Sequence, residues 1–223
     1  EAQALGYAEA DPRGDVEGDD AVNKIVILAR LAFGGWIDPA AVVRTPPSVR
    51  GWGRPGITGV TSSEMESAAL LGLDLKLLAL AEPGPDGAVA ASVLPTAVPD
   101  SGALGVTDGV INRVEILAEP VGDVAFSGPG AGGDATSSAI LGDLLAIARG
   151  QGSTWAGLAP ASADLAPASA ALAPASAATG TADLFAAPRP WFAFLPGVDP
   201  GTVAVGETAA TVELDDGVGV RTG

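Results

Sequence analysis

The run from Ala21 to Phe33, AVNKIVILARLAF, contains neither glycine nor proline and is apolar almost all round. Such a segment forms a helix that has to be buried, because it offers no broad polar face to water. The stretch before it has the opposite character. Between Glu9 and Asp20 stand Glu9, Asp11, Asp15, Glu17, Asp19 and Asp20, interrupted by Pro12, Gly14 and Gly18, which predicts a loop. Asp19 or Asp20 then caps the helix, and the neighbouring acids suit its positive N-terminal end. Asp20 and Lys24 are four residues apart and share one face of the opening turns. Two readings of that pair stand side by side. One is a surface ion pair of small energetic weight. The other follows from the helix behind it: with no solvated side, its lysine points into a cleft or toward a buried partner.

Composition narrows the chemistry. With 223 residues the chain can bury one sizeable core, or one domain with appendages. A formal net charge of −16 with few clustered cations disfavours nucleic acid and anionic membrane surfaces as partners. Cysteine and histidine are both absent, which removes disulfides, thiolate nucleophiles, Ser-His catalysis and imidazole metal ligation. Acid–base work therefore falls to carboxylates, lysines or Tyr7, the single tyrosine. No apolar run reaches bilayer-spanning length and no basic leader precedes an apolar stretch, so a cytoplasmic protein without membrane association is expected. The chain opens on EAQALGYAE, which reads as the end of a helix, and a fragment of a longer protein is expected.

The remainder predicts an α+β fold, a mixed or mainly antiparallel sheet covered by helices and followed by a low-complexity linker. Gly34-Gly35 closes the long helix, Ile37 to Val43 forms a short helix or strand, and Thr45 to Gly56 is a Pro/Gly-rich loop. Thr-Ser-Ser-Glu from Thr61 opens a second helix, capped by Ser62 or Ser63 and ended by Gly72. Strands follow at Asp74 to Ala81 and Gly87 to Val98, joined by EPGPDG, then within Val106 to Val121 and at Asp123 to Phe126. Gly128, Gly130 and Gly133 formally fit G-x-G-x-x-G ahead of a helix from Thr136 to Ala148, a pattern that brings backbone amides to an anion. The second strand and acidic residue of a dinucleotide-binding unit do not follow, so an ordinary strand-to-helix turn competes with that reading. Residues 1–150 thus form one domain. Residues 151–187, with LAPASAD and LAPASAA repeats, form an Ala/Pro/Ser-rich linker, because a proline in each heptad forbids a coiled coil. Residues 188–223 supply one or two strands of a partial C-terminal module.

Several of these residues together carry a family likeness. Gly6-Tyr7-Ala8-Glu9, Asp11-Pro12, Asp15, Gly18-x-Asp20-Ala21-x-x-Lys24 and Ile27-Leu28-Ala29-Arg30 resemble the signature of homoserine dehydrogenase, and KLLALA and FSGPGAGG followed by TSSAILGDL extend the resemblance. The Pro/Gly-rich insertion before Gly56 departs from the family pattern. The resemblance implies an NADP- or NAD-dependent oxidoreductase, a homodimer, that interconverts L-homoserine and L-aspartate 4-semialdehyde in threonine, methionine and isoleucine biosynthesis. It makes residues 1–150 the catalytic and dimerisation domain, with the cofactor held by an N-terminal nucleotide-binding domain outside this chain. It further implies that Lys24 and Asp20 are catalytic, that Glu9, Asp15, Asp20 and Tyr7 bind the small-molecule substrate, that Gly130, Ala131 and Gly132 meet the cofactor, and that no metal takes part. The competing reading is a non-enzymatic acidic calcium-binding or oligomerisation module. Against its calcium form, Arg13 and Val16 occupy positions that an EF-hand loop reserves for a ligand and a glycine.

Overall fold

In the computed structural model of the chain, the described residues are 11–44, 54–83 and 88–158, together with the backbone of three strands further on. Helix α1, Arg13–Val16, and helix α2, Asp19–Phe33, meet at Gly18. The 3-10 turn Pro39–Ala41 and helix α3, Ser62–Leu70, follow. Strands β1, Leu73–Pro83, and β2, Val89–Pro99, form one antiparallel hairpin, and β3, Ile111–Ala118, and β4, Gly122–Pro129, form another. Helix α4 spans Gly133–Ala148. The three strands β5, Phe192–Pro196, β6, Thr208–Leu214, and β7, Gly217–Thr222, make an antiparallel sheet in the order β5-β7-β6, one strand or more beyond the sequence expectation. The LAPASA repeats lie outside the described residues.

Period-two alternation places Leu73, Leu75, Leu77 and Ala81 of β1 on one face of the first hairpin. Two helices cover that face. Val22, Ile25, Val26 and Ala29 of α2 pack with Ile37, Val42, Val89, Ala91 and Val93. Ala68 of α3 packs with Leu71, Leu73, Leu75 and Ala97. Each large apolar side chain so buried contributes on the order of 1.5–3 kcal/mol, and it is this packing rather than propensity that fixes α2 over the sheet. Val43 adds a parallel bridge along the edge of β2, donating its amide to Ala91 and accepting from Val93.

Three local expectations are corrected. Helix α2 is not buried all round, for Ile27, Leu28, Leu31 and Phe33 stay exposed while Val22, Ile25, Val26 and Ala29, spaced three and four apart from one another, face the sheet. Its N-cap is Gly18, not Asp19 or Asp20, and makes no side-chain capping bond. Gly18 has φ +81° and its missing Cβ would stand 3.0 Å from Val93 Cγ1, so the tight turn wants glycine and pushes both acids into the first helical turn. Thr61 rather than Ser62 or Ser63 caps α3, because a capping box needs its glutamate at the third helical position. Glu64 accepts from the Thr61 amide at 2.6 Å, and its own amide donates back to Thr61 Oγ1 at 3.3 Å.

Candidate active site

The acidic approach to α2 is one helical turn rather than unbroken loop, and it sorts its carboxylates by partner. Asp11 takes the Arg13 guanidinium in a fork, with Nε at 2.9 Å from Oδ1 and a terminal nitrogen at 2.5 Å from Oδ2. That bond holds the Asp11 carboxyl below its ordinary range and raises Arg13. Asp19 pairs with Arg44 from the far side of the 3-10 turn. Asp20 Oδ2 lies 2.6 Å from Lys24 Nζ, and both side chains are 54% exposed. Of the two readings of this pair, the structure realises the accessible one: the lysine has its partner one turn away and stays open to solution. Asp15, on α1, is exposed and has no charged partner among the described residues. Glu9 and Tyr7 lie outside the described residues.

The turn carrying this cluster is held by a contact that motif reasoning does not reach. Gly56, at φ +63°, comes so close to α1 that a Cβ there would collide with the Val16 carbonyl oxygen, and Ile57 donates its amide to that carbonyl at 2.8 Å. Residues 54–57 thus cross behind Val16 and Glu17. Arg44 was equally hidden; its one legible signal is that cations are scarce in so acidic a chain.

The glycine-rich loop forms a second part of the candidate site. Gly130 donates to Val110 at 2.7 Å and sits so near Asn112 that a side chain there would strike its amide. Gly132, at φ +109°, is the N-cap of α4 and supplies no side chain to its first amides, while the space where Cβ atoms of Gly132 and Gly133 would stand is open. This bare backbone at a helix start, which spans Gly130, Ala131 and Gly132, is of the kind that can receive an anionic group. Among the described residues, no group of three or more acidic side chains gathers closely enough to hold a metal ion, and no helix is long and apolar enough to cross a membrane.

Comparison with known proteins bears on the same residues. The family model described as Homoserine dehydrogenase matches residues 1–145. Homoserine dehydrogenase of Neisseria gonorrhoeae is 41% identical over 149 residues, covering 67% of this chain and 32% of that protein. A crystal structure of Staphylococcus aureus homoserine dehydrogenase superposes with a TM-score of 0.68 at 28% identity, over 100% of this chain and 52% of that one. A hyperthermophilic archaeal homoserine dehydrogenase in complex with NADPH gives a TM-score of 0.50 at 27% identity, over 67% of this chain and 38% of that one. The chain spans about a third of the length of the curated relatives it matches. With the acidic turn, the Asp20–Lys24 pair and the glycine-rich loop all inside the matched region, the chain belongs to the homoserine dehydrogenase family.

Proposed function

We propose that this chain supplies the substrate-binding and catalytic part of an oxidoreductase that interconverts L-homoserine and L-aspartate 4-semialdehyde with NADP or NAD, on the route to threonine, methionine and isoleucine. The observation that carries the reading is the accessible Asp20–Lys24 ion pair, 2.6 Å across, on the first turns of α2 and within the family-matched region. The nicotinamide, when bound, exchanges a hydride with the terminal carbon of the substrate. In the reducing direction Lys24 gives the proton that turns the aldehyde oxygen into a hydroxyl, and in the oxidising direction it takes that proton back. Asp20 aims the ammonium through their ion pair. Glu9 and Asp15 bind the substrate ammonium through charge-assisted hydrogen bonds, and Tyr7 lines the pocket. The backbone of Gly130, Ala131 and Gly132 receives the cofactor from a nucleotide-binding domain; NADPH in the archaeal relative supports NADP. The protein acts in the cytoplasm as a homodimer, and the exposed apolar side chains of the β3–β4 hairpin support self-association.

The test is turnover in the full-length protein that carries this chain. Homoserine-dependent reduction of NADP or NAD is expected, and Lys24→Ala should lower kcat by about 10²–10⁴-fold, the usual contribution of a positioned proton donor, while the fold survives. Wild-type turnover in both Lys24→Ala and Glu9→Ala would remove the site assignment. Tight stoichiometric calcium binding that disappears in Asp15→Ala would instead favour the binding module.

A further inference from the structure

Residues 109–150, comprising β3, β4, the glycine-rich loop and α4, form an arm without one buried residue. No apolar core of its own holds such an arm against β1, β2 and α2, so within one copy of the chain its placement depends on the contacts at its ends. Both ends carry specific contacts. At the entry, Lys76 on β1 projects from the sheet face opposite α2. Its ammonium lies 2.8 Å from Asp74 Oδ2, 2.8 Å from Asp108 Oδ1 and 3.2 Å from the Thr107 carbonyl oxygen. All three ammonium donors have an acceptor in a side chain or the backbone, and Lys76 is 22% exposed, so this is a directed three-way junction rather than a loose surface pair. Two residues on, Val110 accepts the Gly130 amide, which ties the junction to the loop itself.

At the exit, the segment after α4 turns back so that Trp155 reaches the C-terminal part of α2. There the Arg30 guanidinium, 5% exposed, lies 5.1 Å from the Trp36 ring and 4.9 Å from the Trp155 ring, with the two rings 6.4 Å apart. A cation between two indole faces in so dry a place is among the stronger forms of this contact. The helix that carries Asp20 and Lys24 therefore also holds the far end of the arm that carries Gly130 to Gly132.

We propose that Lys76 and Trp155 are positioning residues for the reaction: the Lys76–Asp108 junction and the Arg30–Trp155 stack clamp the two ends of the arm and so set the glycine-rich loop against α2 for the nicotinamide cofactor. Neither touches substrate or cofactor. The inference rests on the proposed function for what the loop receives, but not for the clamping itself.

The experiment uses the full-length protein and the variants Lys76→Met, Asp108→Asn and Trp155→Ala, with Lys76→Arg as the conservative control. Hydrogen exchange read by mass spectrometry reports the clamp without any activity. Faster exchange is expected in peptides covering residues 108–116 and 128–134, with unchanged protection in α2, β1 and β2. In steady-state kinetics each disruptive variant should raise the cofactor KM about tenfold, since small displacements of a positioning element are felt strongly, while the homoserine KM at saturating cofactor stays within about twofold. Lys76→Arg should restore both readouts toward wild type. Should Lys76→Met unfold the sheet, Asp108→Asn decides, because that side chain is largely exposed and outside the core. Unchanged exchange in both arm peptides for Asp108→Asn and Trp155→Ala overturns the clamp. So does an equal rise of both KM values. A wild-type protein without homoserine-dependent turnover would remove the functional reading and leave the exchange result to judge the clamp alone.

Discussion

At the level of single residues, charge is apportioned pair by pair. Asp11 answers Arg13, Asp19 answers Arg44 and Asp20 answers Lys24, which leaves Asp15 and Glu17, among the described residues, as the acids of this turn without an ion pair. An ion pair at the surface contributes little to stability, so Asp20→Asn is expected to shift the thermal midpoint scarcely at all, by less than about 1 kcal/mol of stability. Its effect should fall on turnover, because a lysine without its partner one turn away is less well aimed. Equal losses of stability and activity on scanning calorimetry and initial rates would contradict that division. Lys76 behaves differently. Its hydrogen bonds to Asp108 and Asp74 raise its pKa above the ordinary 10.5, outweighing the desolvation that acts against the charge. A raised folded-state value means that the junction's contribution is fully present below pH 10.5 and is lost as pH climbs through the raised value. Thermal midpoints measured from neutral pH upward should therefore fall in this alkaline window, and the part of that fall due to Lys76 should be missing in Lys76→Met.

At the level of elements, backbone constraint matters as much as side-chain chemistry. Gly56→Ala places a methyl against the Val16 carbonyl at positive φ, and a cost of at least about 1–3 kcal/mol in the denaturant midpoint is expected, with the turn that carries Asp15 displaced and homoserine KM raised. Thr61→Ala removes one half of the α3 capping box and should cost about 1 kcal/mol without touching turnover, a control for loss of stability alone. These two sites also separate what was legible from what was not. The T-S-S-E spacing, the alternation of Leu73, Leu75 and Leu77, and the long glycine-free run of α2 are local patterns, and the helix, the hairpin and the second helix appear where those patterns put them. The Asp20–Lys24 pair is legible for the same reason, since helical periodicity alone brings the two together. Contacts between distant segments leave no such trace. Nothing in the sequence around Gly56 says that it will back onto Val16, and nothing around Trp155 says that it will close on Arg30. The expectation of a fully buried α2 failed by a related route. Composition counts apolar residues but not the surface available to cover them, and a two-stranded sheet covers one side of a helix.

At the level of the whole molecule, the uncovered apolar surface is the property that calls for explanation. Leu117 is 83% exposed and Phe126 62%, both on the β3–β4 hairpin, with Val121 at its turn and Ile116 beside Leu117 on β3 also open. A soluble domain seldom leaves so many large apolar side chains on one small element unless another surface meets them. A two-stranded hairpin is also marginal by itself, so association would stabilise the element that carries the glycine-rich loop as well as cover it. A second copy of the chain satisfies both needs, because a two-fold axis sets the same apolar hairpin against its own mate without requiring a partner of different design. Leu117→Lys places a charge at the most exposed of these positions and Phe126→Asp places one on the neighbouring strand. In the full-length protein, light scattering after size-exclusion chromatography should read a dimer for wild type and a shift toward monomer at micromolar concentration for either variant, strongest when both are combined. Because the hairpin leads directly into Gly130, loss of the dimer should be accompanied by a raised cofactor KM. A variant that remains dimeric with both charges in place would assign the hairpin's exposed apolar side chains to a different neighbour, and the cofactor KM of that variant would then report whether the neighbour also bears on the loop.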